Sequence, residues 1–408
     1  MISRLNQELF NLNDAYINYH EIRRADMIIK NRFNPQCITY SQMQMTFNMR
    51  MYYRRIINLT RIYMRNRYYN LGAPDVLFDR LYLEYLDIGN MLHLNFGRAS
   101  RDQYSRLLGE FAISLRELIT AQIEGNVETI DRNVQRIFDN VYTRGVFLAE
   151  INPYWATNEY RNLFNAYIQY LIRSANLLSL GNLNEDIVLY DSITELTNNM
   201  GDAFAEGIFN YITSGKTLLA QEGDACITYE QMRTIQNVGM FWFDLQVWLR
   251  NYMLSKFVNI GDKEATFDRL KRVVVDFGDE LKNIYGETFA ADLVQKLNEY
   301  IDLVDRYTTA QMDGDNDEVI RIIPLLYQNA DARAAMEAAA TSLSESEWRR
   351  RLRELQVQGI IDQSTALLSG NFARSLDIFL DLLSRAEDMS EFVAPGLFNY
   401  FTRMQQNQ

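Results

Sequence analysis

The sequence predicts an all-α protein, built from two tandem homologous antiparallel helical bundles that follow an N-terminal helical extension. Three observations predict this fold: few helix breakers, apolar residues at helical spacing, and short sequence motifs that recur at one fixed offset. The 408-residue chain contains only 5 prolines and 19 glycines, and no segment alternates apolar and polar residues as a half-buried strand does. We therefore expect long helices throughout.

The helical period is clear in the segment SLRELITAQIEGN, residues 114–126. Leu115, Leu118, Ile119 and Ile123 follow the spacing of one apolar helix face. Gly125 then ends the pattern, as a glycine after a helix does. The same scheme recurs in the segment that ends at Gly181 and Asn182, so each bundle is expected to contain five or six helices.

The duplication is indicated by phrases that return 189 residues later. The phrase CITYSQM (37–43) returns as CITYEQM (226–232), and GIFNY (207–211) returns as GLFNY (396–400). One slip is expected near residue 160, where EYRNLF from Glu159 matches EWRRRL from Glu347. Because the repeat is far longer than a solenoid unit, it predicts an extension at 1–36, bundle copies at 37–213 and 226–402, a linker at 214–225 and a tail at 403–408.

The repeated phrases contain the start signals of two helices. Thr39 with Gln42, and Thr228 with Gln231, have the spacing of capping boxes, in which the threonine hydroxyl and the glutamine side chain satisfy free backbone N–H groups. The chain's two cysteines stand just before these caps. We interpret them as small apolar residues, because a metal or redox pair would require them to meet from different domains.

Composition argues for a soluble protein from a reducing compartment. The net charge of −12 disfavours general nucleic-acid binding. The first residues lack the apolar core of a signal peptide, and no run has the length of a membrane span. We predict a location in the cytoplasm, or within a particle assembled inside the cell such as a virion.

The order of several short motifs resembles an uncharacterised family of bacterial helical-bundle proteins. The family pattern runs L-W-x-x-H-V-x-W-T-R, G-L-P-D, R-L-L, D-x-G-N, N-P-x-W, Y-D and A-D-x-L-x-x-G-I. Its counterparts in copy one are Leu59-Thr60-Arg61, Gly72-Ala73-Pro74-Asp75, Arg80-Leu81, Asp87-Ile88-Gly89-Asn90, Asn152-Pro153-Tyr154-Trp155, Tyr190-Asp191 and Asp202 to Ile208. Copy two retains Trp242 and Trp248-Leu249-Arg250. The resemblance implies a helical bundle and no particular activity.

Histidines of that family are absent here. The opening histidine position is Ile56 in copy one and Leu245 in copy two, and later positions are Phe111 and Tyr300, then Tyr167 and Gln356. If histidines form a site in relatives, both copies have filled it. The two histidines present, His20 and His93, lie elsewhere, and we expect surface or core roles for them.

No catalytic motif is recognisable. The chain has no GxxxxGK[ST], GxGxxG, GxSxG or HExxH, and we predict no catalytic, cofactor-binding or metal-binding residues. The run DGDND (313–317) lacks the glutamate of a calcium loop and is expected to be a solvated turn. Two polar pairs recur at the repeat offset, Arg80 with Asp87 and Arg269 with Asp276; we expect buried bridges between helices there, an active site being the alternative.

One segment is basic within this acidic chain. Residues 1–70 contain eleven Arg and Lys against four Asp and Glu. The candidates for partner binding are Arg50, Arg54, Arg55, Arg61, Arg65 and Arg67 with Tyr52, Tyr53 and Tyr63. Guanidinium groups beside aromatic rings suit a protein interface or phosphate contact with stacking; the alternative is a solvated or intramolecularly paired face.

These observations predict a non-enzymatic structural or protein-interaction component of a larger assembly, for example a minor virion or particle protein. Its partners would be other protein subunits, further copies of the chain among them, and no cofactor or membrane is expected. The first alternative is a small-molecule or metal-binding bundle, including an enzymatic one, that uses the repeated Arg/Asp pairs. The second is nucleic-acid binding through the segment 50–69, which would weaken steeply with salt.

Overall fold

The computed structural model describes residues 37–72, 74–213 and 225–406, and it divides into two compact units after Tyr229. Almost all of the described residues are helical, as the sequence predicts. The predicted extension 1–36 and the predicted linker, apart from residue 225, lie outside the described residues. The division after Tyr229 differs from the predicted start of copy two at residue 226.

Unit 1 is a bundle of long helices with one short strand near each end of its sequence. Its elements are β1 (Ile38–Thr39), α1 (Tyr40–Tyr69), α2 (Pro74–Glu124), α3 (Val127–Ile151), α4 (Thr157–Leu180), α5 (Leu183–Ile212) and β2 (Cys226–Ile227). The two strands, which the sequence did not predict, pair antiparallel, with Ile38 opposite Ile227.

Unit 2 contains the same order of helices. Its elements are α6 (Tyr229–Val258, whose first residue belongs to unit 1), α7 (Lys263–Tyr285), α8 (Glu287–Asp313), α9 (Asn316–Thr341), α10 (Glu345–Leu352), a π-helical turn (Arg353–Gln358), α11 (Gly359–Leu368) and α12 (Phe372–Gln406). Helix α12 extends beyond residue 402, where the sequence predicted the end of copy two.

Residues with left-handed or otherwise positive φ recur at the repeat offset. Asn70 and Asn259 have φ values of 52° and 53°. The glycine pairs 72/261, 97/286, 125/314 and 181/370 all have positive φ, which side chains other than glycine rarely tolerate. Each of these residues ends a helix or separates two helices, so the chain turns at equivalent places in both units, in support of the predicted duplication.

The chain reverses direction at Gly97, inside α2. Its backbone there has φ 80° and ψ 175°, and the two halves of the helix pack together so closely that a Cβ on Gly89 would lie 1.9 Å from Ser105 Oγ. In unit 2, a Cβ on Gly278 would lie 2.4 Å from Val294 Cγ2. Two helices therefore approach each other closely at both glycines.

Replacing Gly89 by alanine is expected to destabilise unit 1 by about 1–3 kcal/mol, because the new methyl group overlaps Ser105 Oγ and also approaches the Arg101 carbonyl. Gly396 is the matched control, since no atom lies within 4 Å of a Cβ built there. Its replacement by alanine should be neutral or stabilising in the helix interior. Hydrogen exchange followed by peptide mass spectrometry measures both, and equal destabilisation by the two substitutions would contradict the packing.

The predicted one-residue slip near residue 160 has a structural counterpart. Helix α4 begins at Thr157 and α10 at Glu345, 188 residues apart, whereas Gly181 and Gly370 are 189 apart. Between those points unit 2 contains the π-helical turn Arg353–Gln358. A π-turn accommodates one additional residue within a helix, and the repeat offset is restored there.

Candidate functional site

The arginine–tyrosine segment lies on α1, and three of its arginines, Arg50, Arg54 and Arg61, are buried in unit 1. Arg50 forms a two-pronged ion pair with Asp202 of α5, with both N–O distances 2.5 Å. Arg50 is 4% exposed and Asp202 is fully buried. Burial alone would lower the pKa of Arg50, but the charge and hydrogen bonds of Asp202 raise it above its ordinary value. The pair fastens α1 to α5.

A second buried pair lies further along the same two helices. Arg61 donates to the Asp186 carboxylate, which also accepts from Ser174 Oγ at 2.6 Å. The guanidinium stacks 4.3 Å from the centre of the Tyr190 ring, and the Tyr190 hydroxyl donates to Asn58 Oδ1 at 2.9 Å. Arg61 is therefore held by a carboxylate and a ring within the bundle.

Other arginines of the segment also have partners inside unit 1. Arg54 is buried and Arg55 donates to both oxygens of Glu84 at 2.9 and 3.0 Å. Arg67 donates to Thr120 Oγ1 at 2.9 Å. Arg65 is half-buried, and burial together with the neighbouring Arg61 lowers its pKa to about 10.

The prediction of a partner-binding surface in this segment is wrong for its buried members. Those members are Arg50, Arg54, Arg61, Tyr53 and Tyr63. The acidic partners of Arg50 and Arg61 stand more than 100 residues later in the chain, so the local excess of basic residues did not indicate an exposed patch. Intramolecular pairing, the alternative weighed from the sequence, is what the structure contains.

The repeated Arg/Asp pairs are not buried bridges. Arg80, Asp87 and Asp276 are exposed, and Arg269 is half-buried with its guanidinium 5.0 Å from the centre of the Trp248 ring. Asp87 accepts from its neighbour Asn90 on the surface. The prediction that these pairs link helices in the core is wrong, because Asp87 and Asp276 occupy the solvent faces of α2 and α7.

The repeated CITY phrase performs its predicted role at the first helix. Thr39 Oγ1 accepts from the Gln42 backbone N–H, and Gln42 Oε1 accepts from the Thr39 backbone N–H at 2.8 Å, which confirms the first capping box. Helix α6 begins at Tyr229, next to Thr228 as predicted; its box with Gln231 stays a prediction.

The cysteines of the two phrases form a disulfide, Cys37–Cys226. The prediction that they do not pair is wrong. It assumed that they belong to different domains, whereas β2 pairs with β1 and both cysteines lie in unit 1. Ile38 and Ile227, which follow them, are fully buried. The disulfide therefore links the two short strands β1 and β2, whose isoleucines are buried in the structure.

Motif residues that suggested the family resemblance make packing contacts. Asn152 Nδ2 donates to the Gly207 carbonyl at 2.9 Å, and Trp155 packs so tightly on Gly207 that a Cβ there would lie 1.8 Å from its Nε1. The Trp155 ring also contacts Phe204, at 5.1 Å between centres. The N-P-x-W turn and the end of α5 thus form one structural contact.

Two of the positions where the resembled family would have histidines, Phe111 and Tyr167, lie on either side of Tyr85 in unit 1. The Tyr85 ring lies 5.4 Å from Phe111, and its hydroxyl is 3.3 Å from the Tyr167 hydroxyl. Ile56 is also buried. The Arg144 guanidinium lies 5.0 Å from the centre of the Phe111 ring. Aromatic rings and a guanidinium occupy this centre.

Unit 2 has a similar arrangement at the equivalent positions. Tyr300 donates from its hydroxyl to the Gln356 carbonyl at 2.8 Å, and Leu245 is fully buried. The Arg333 guanidinium lies 4.9 Å from the centre of the Tyr300 ring and donates to Gln356 Oε1 and Asn329 Oδ1.

The two central arginines were missed by sequence reasoning. Arg144 and Arg333 are 4% and 0% exposed and stand one repeat offset apart. Asn140 and Asn329, four residues before them, donate to the carbonyls of Leu107 and Lys296 at 2.8 and 2.9 Å, which are also equivalent positions. A comparison of polar residues 189 positions apart would have found the arginine pair and the asparagine pair.

A buried carboxyl group distinguishes unit 2 from unit 1. Glu337 is 4% exposed and occupies the position equivalent to Leu148. Burial raises the pKa of Glu337 to about 8, although the charge of Arg333 opposes the shift. The group borders a cavity between aromatic side chains of unit 2, and its raised pKa favours the protonated form at neutral pH.

Glu337 makes unit 2 less stable as the pH rises. The folded protein holds this proton more tightly than the unfolded chain, whose glutamate pKa is near 4.5. The contribution of Glu337 to the stability of unit 2 is therefore greatest below pH 4.5 and falls by roughly 1.4 kcal/mol per pH unit up to about pH 8. The free energies of unfolding of the parent chain and of Glu337→Leu, measured with urea between pH 5 and 8, should diverge with this slope. Equal dependence of the two free energies on pH would contradict the raised pKa of Glu337.

Within the described ranges, no group of three His, Cys, Asp or Glu side chains gathers as a metal site would require. His93 is exposed on α2, and His20 lies outside these ranges. Among the described helices, none combines the length and apolar character needed to cross a membrane. No protein-family model, curated protein or solved structure matches the chain.

Proposed function

We propose that the chain is a tandem duplication of one helical bundle and serves as a non-enzymatic structural or protein-interaction component of a larger assembly, such as a minor virion or particle protein. The main observation behind the proposal is that aromatic and arginine side chains fill the centres of both bundles. In each, a buried arginine covers an aromatic ring at a position where relatives are expected to have a histidine. Side chains of the protein itself fill these centres, which supports a structural role.

The ion pairs of unit 1 support the same proposal. Arg50 with Asp202, and Arg61 with Asp186, bury four charges between α1 and α5. Removing one member of such a pair is costly, whereas the intact pair restricts how the helices can pack. A rigid bundle of this kind suits a subunit that presents a fixed outer surface to its neighbours.

The disulfide favours an oxidising setting for the assembled protein. Disulfides are rare in the cytosol because thiol reductants keep cysteines reduced there. The expected reducing compartment therefore fits the Cys37–Cys226 bond poorly. We propose that the assembly forms or matures where disulfides persist.

Nucleic-acid binding through the segment 50–69 receives less support. Arg54 is buried and Arg55 is paired with Glu84, so phosphate contact would require these side chains to leave their partners. Their replacement by glutamate would disturb the fold and would not report on binding alone.

Isolation of the chain from its source under native, non-reducing conditions tests the proposed function. We expect native mass spectrometry to show a complex of fixed stoichiometry that contains further protein subunits. A chain that purifies as a free monomer, with no mass beyond its own 47.8 kDa, would overturn the proposal.

A further inference from the structure

A cavity of about 20 Å³ lies inside unit 2. The buried rings of Trp242, Phe277 and Trp348 line it, and the half-buried rings of Tyr285 and Phe289 stand at its outer side. This volume holds one group of the size of a water molecule. The cavity is therefore a small aromatic compartment close to the surface.

Unit 1 has a tryptophan where unit 2 has this space. Trp155 lies 5.2 Å from Phe96 and 5.9 Å from Tyr160 between ring centres. Tyr285 and Trp348 occupy the equivalent positions in unit 2, and both line the cavity. The connection that supplies Trp155 spans residues 152–156, but its counterpart spans only 342–344. Unit 2 thus lacks a side chain equivalent to Trp155, and the cavity stays open.

The carboxyl group of Glu337 borders the cavity. Its Oε1 atom is buried and has no hydrogen-bond partner, a costly arrangement for a polar atom. Arg333, one helical turn earlier, directs its guanidinium to Asn329 and Gln356. The carboxyl group is consequently available to a donor that enters the cavity.

We propose that this cavity binds a primary alkylammonium group, with Glu337 as its counter-ion and the surrounding aromatic rings as its walls. An ammonium group has the size of the water that the cavity accommodates. The faces of tryptophan, tyrosine and phenylalanine attract cations, and an ammonium–carboxylate hydrogen bond is among the stronger ones. The alkyl stem leaves beside the half-buried rings of Tyr285 and Phe289, which contact each other at 5.3 Å between centres.

Charge stays balanced when the group binds. In the empty site the raised pKa of Glu337 favours a protonated carboxyl group. Entry of the ammonium ion ionises the carboxyl group, and its proton passes to solvent, so the site exchanges one positive charge for another. The charge of Arg333 is present in both states and favours the ionised carboxylate.

Titration of the intact oxidised chain with n-butylammonium tests the proposal, with tryptophan fluorescence as the readout because Trp242 and Trp348 line the site. We expect a saturable change that n-butanol, its uncharged analogue, does not produce. Capped lysine is titrated in parallel. Its binding indicates that the ammonium can come from a partner protein, whereas binding of butylammonium alone indicates a free amine.

Three variants separate the site from the fold. Glu337→Gln and Glu337→Leu remove the carboxyl group that ionises on binding, and Leu148 already occupies the equivalent position in unit 1. Val393→Phe fills the cavity while it keeps the carboxyl group, since Phe204 is the equivalent residue. Each should weaken butylammonium binding at least tenfold. Equal binding by Glu337→Gln, equal binding of butanol, or no saturation in the parent chain would each overturn the proposal. The test uses the isolated chain, so its failure leaves the proposed assembly role intact.

Discussion

Replacement of Cys37 by serine is expected to lower the free energy of unfolding of unit 1 by about 2–5 kcal/mol. The Cys37–Cys226 bond joins residues 189 positions apart, and a cross-link over so long a loop restricts the unfolded chain strongly. Hydrogen exchange of peptides from unit 1, with and without the substitution, measures the loss.

The second cysteine and chemical reduction provide the controls for this prediction. Cys226→Ser should cost as much as Cys37→Ser, and the double substitution should cost no more than either. Reduction of the parent chain should reproduce the same loss, and a non-reducing peptide map should recover the joined peptides. Unchanged exchange after reduction would contradict a stabilising role for the disulfide.

Replacement of Asp186 by alanine is expected to cost about 3–5 kcal/mol, because it leaves the Arg61 guanidinium buried without its carboxylate. Arg61 is 3% exposed and Asp186 is fully buried, so water cannot replace the lost partner. Ser174 Oγ would also lose its acceptor. Urea unfolding monitored by hydrogen exchange in α1 and α5 measures the effect.

A double replacement distinguishes the charge effect from lost packing. Arg61→Met combined with Asp186→Leu should recover much of the stability, since an apolar pair can replace a buried ion pair. Glu110→Ala serves as the surface control, because its pair with Arg106 is about half exposed on both sides and such pairs contribute little. A small effect of Asp186→Ala, similar to that of Glu110→Ala, would show that the buried pair does not hold the helices.

Helix positions and turns could be predicted from the sequence because their determinants are local. Gly125 and Gly314 end helices, and both have positive φ. Asn126 and Asp315, which follow them, accept from the third residue of the next helix, so the DGDND run is a solvated turn as expected. The capping box at Thr39 is equally local.

The interior of the site could not be predicted, because its contacts join distant parts of the chain. Arg50 and Arg61 appeared to belong to an exposed basic segment until Asp202 and Asp186 were placed beside them. The disulfide was missed for a related reason: the repeat assigned Cys226 to copy two, whereas the fold places it in unit 1. The number of charged residues in a segment does not show which of them form ion pairs in the folded chain.

The central claim is that the charged groups of segment 50–69 stabilise the bundle from within. Modification of the native, oxidised chain with phenylglyoxal, read by peptide mass spectrometry, tests this claim most directly. We predict that Arg50 and Arg61 stay unmodified while Arg98 and Arg321, whose side chains are 79% and 66% exposed, react quickly. Rapid modification of Arg50 and Arg61 in the folded chain would contradict the account and restore the segment as a partner-binding surface.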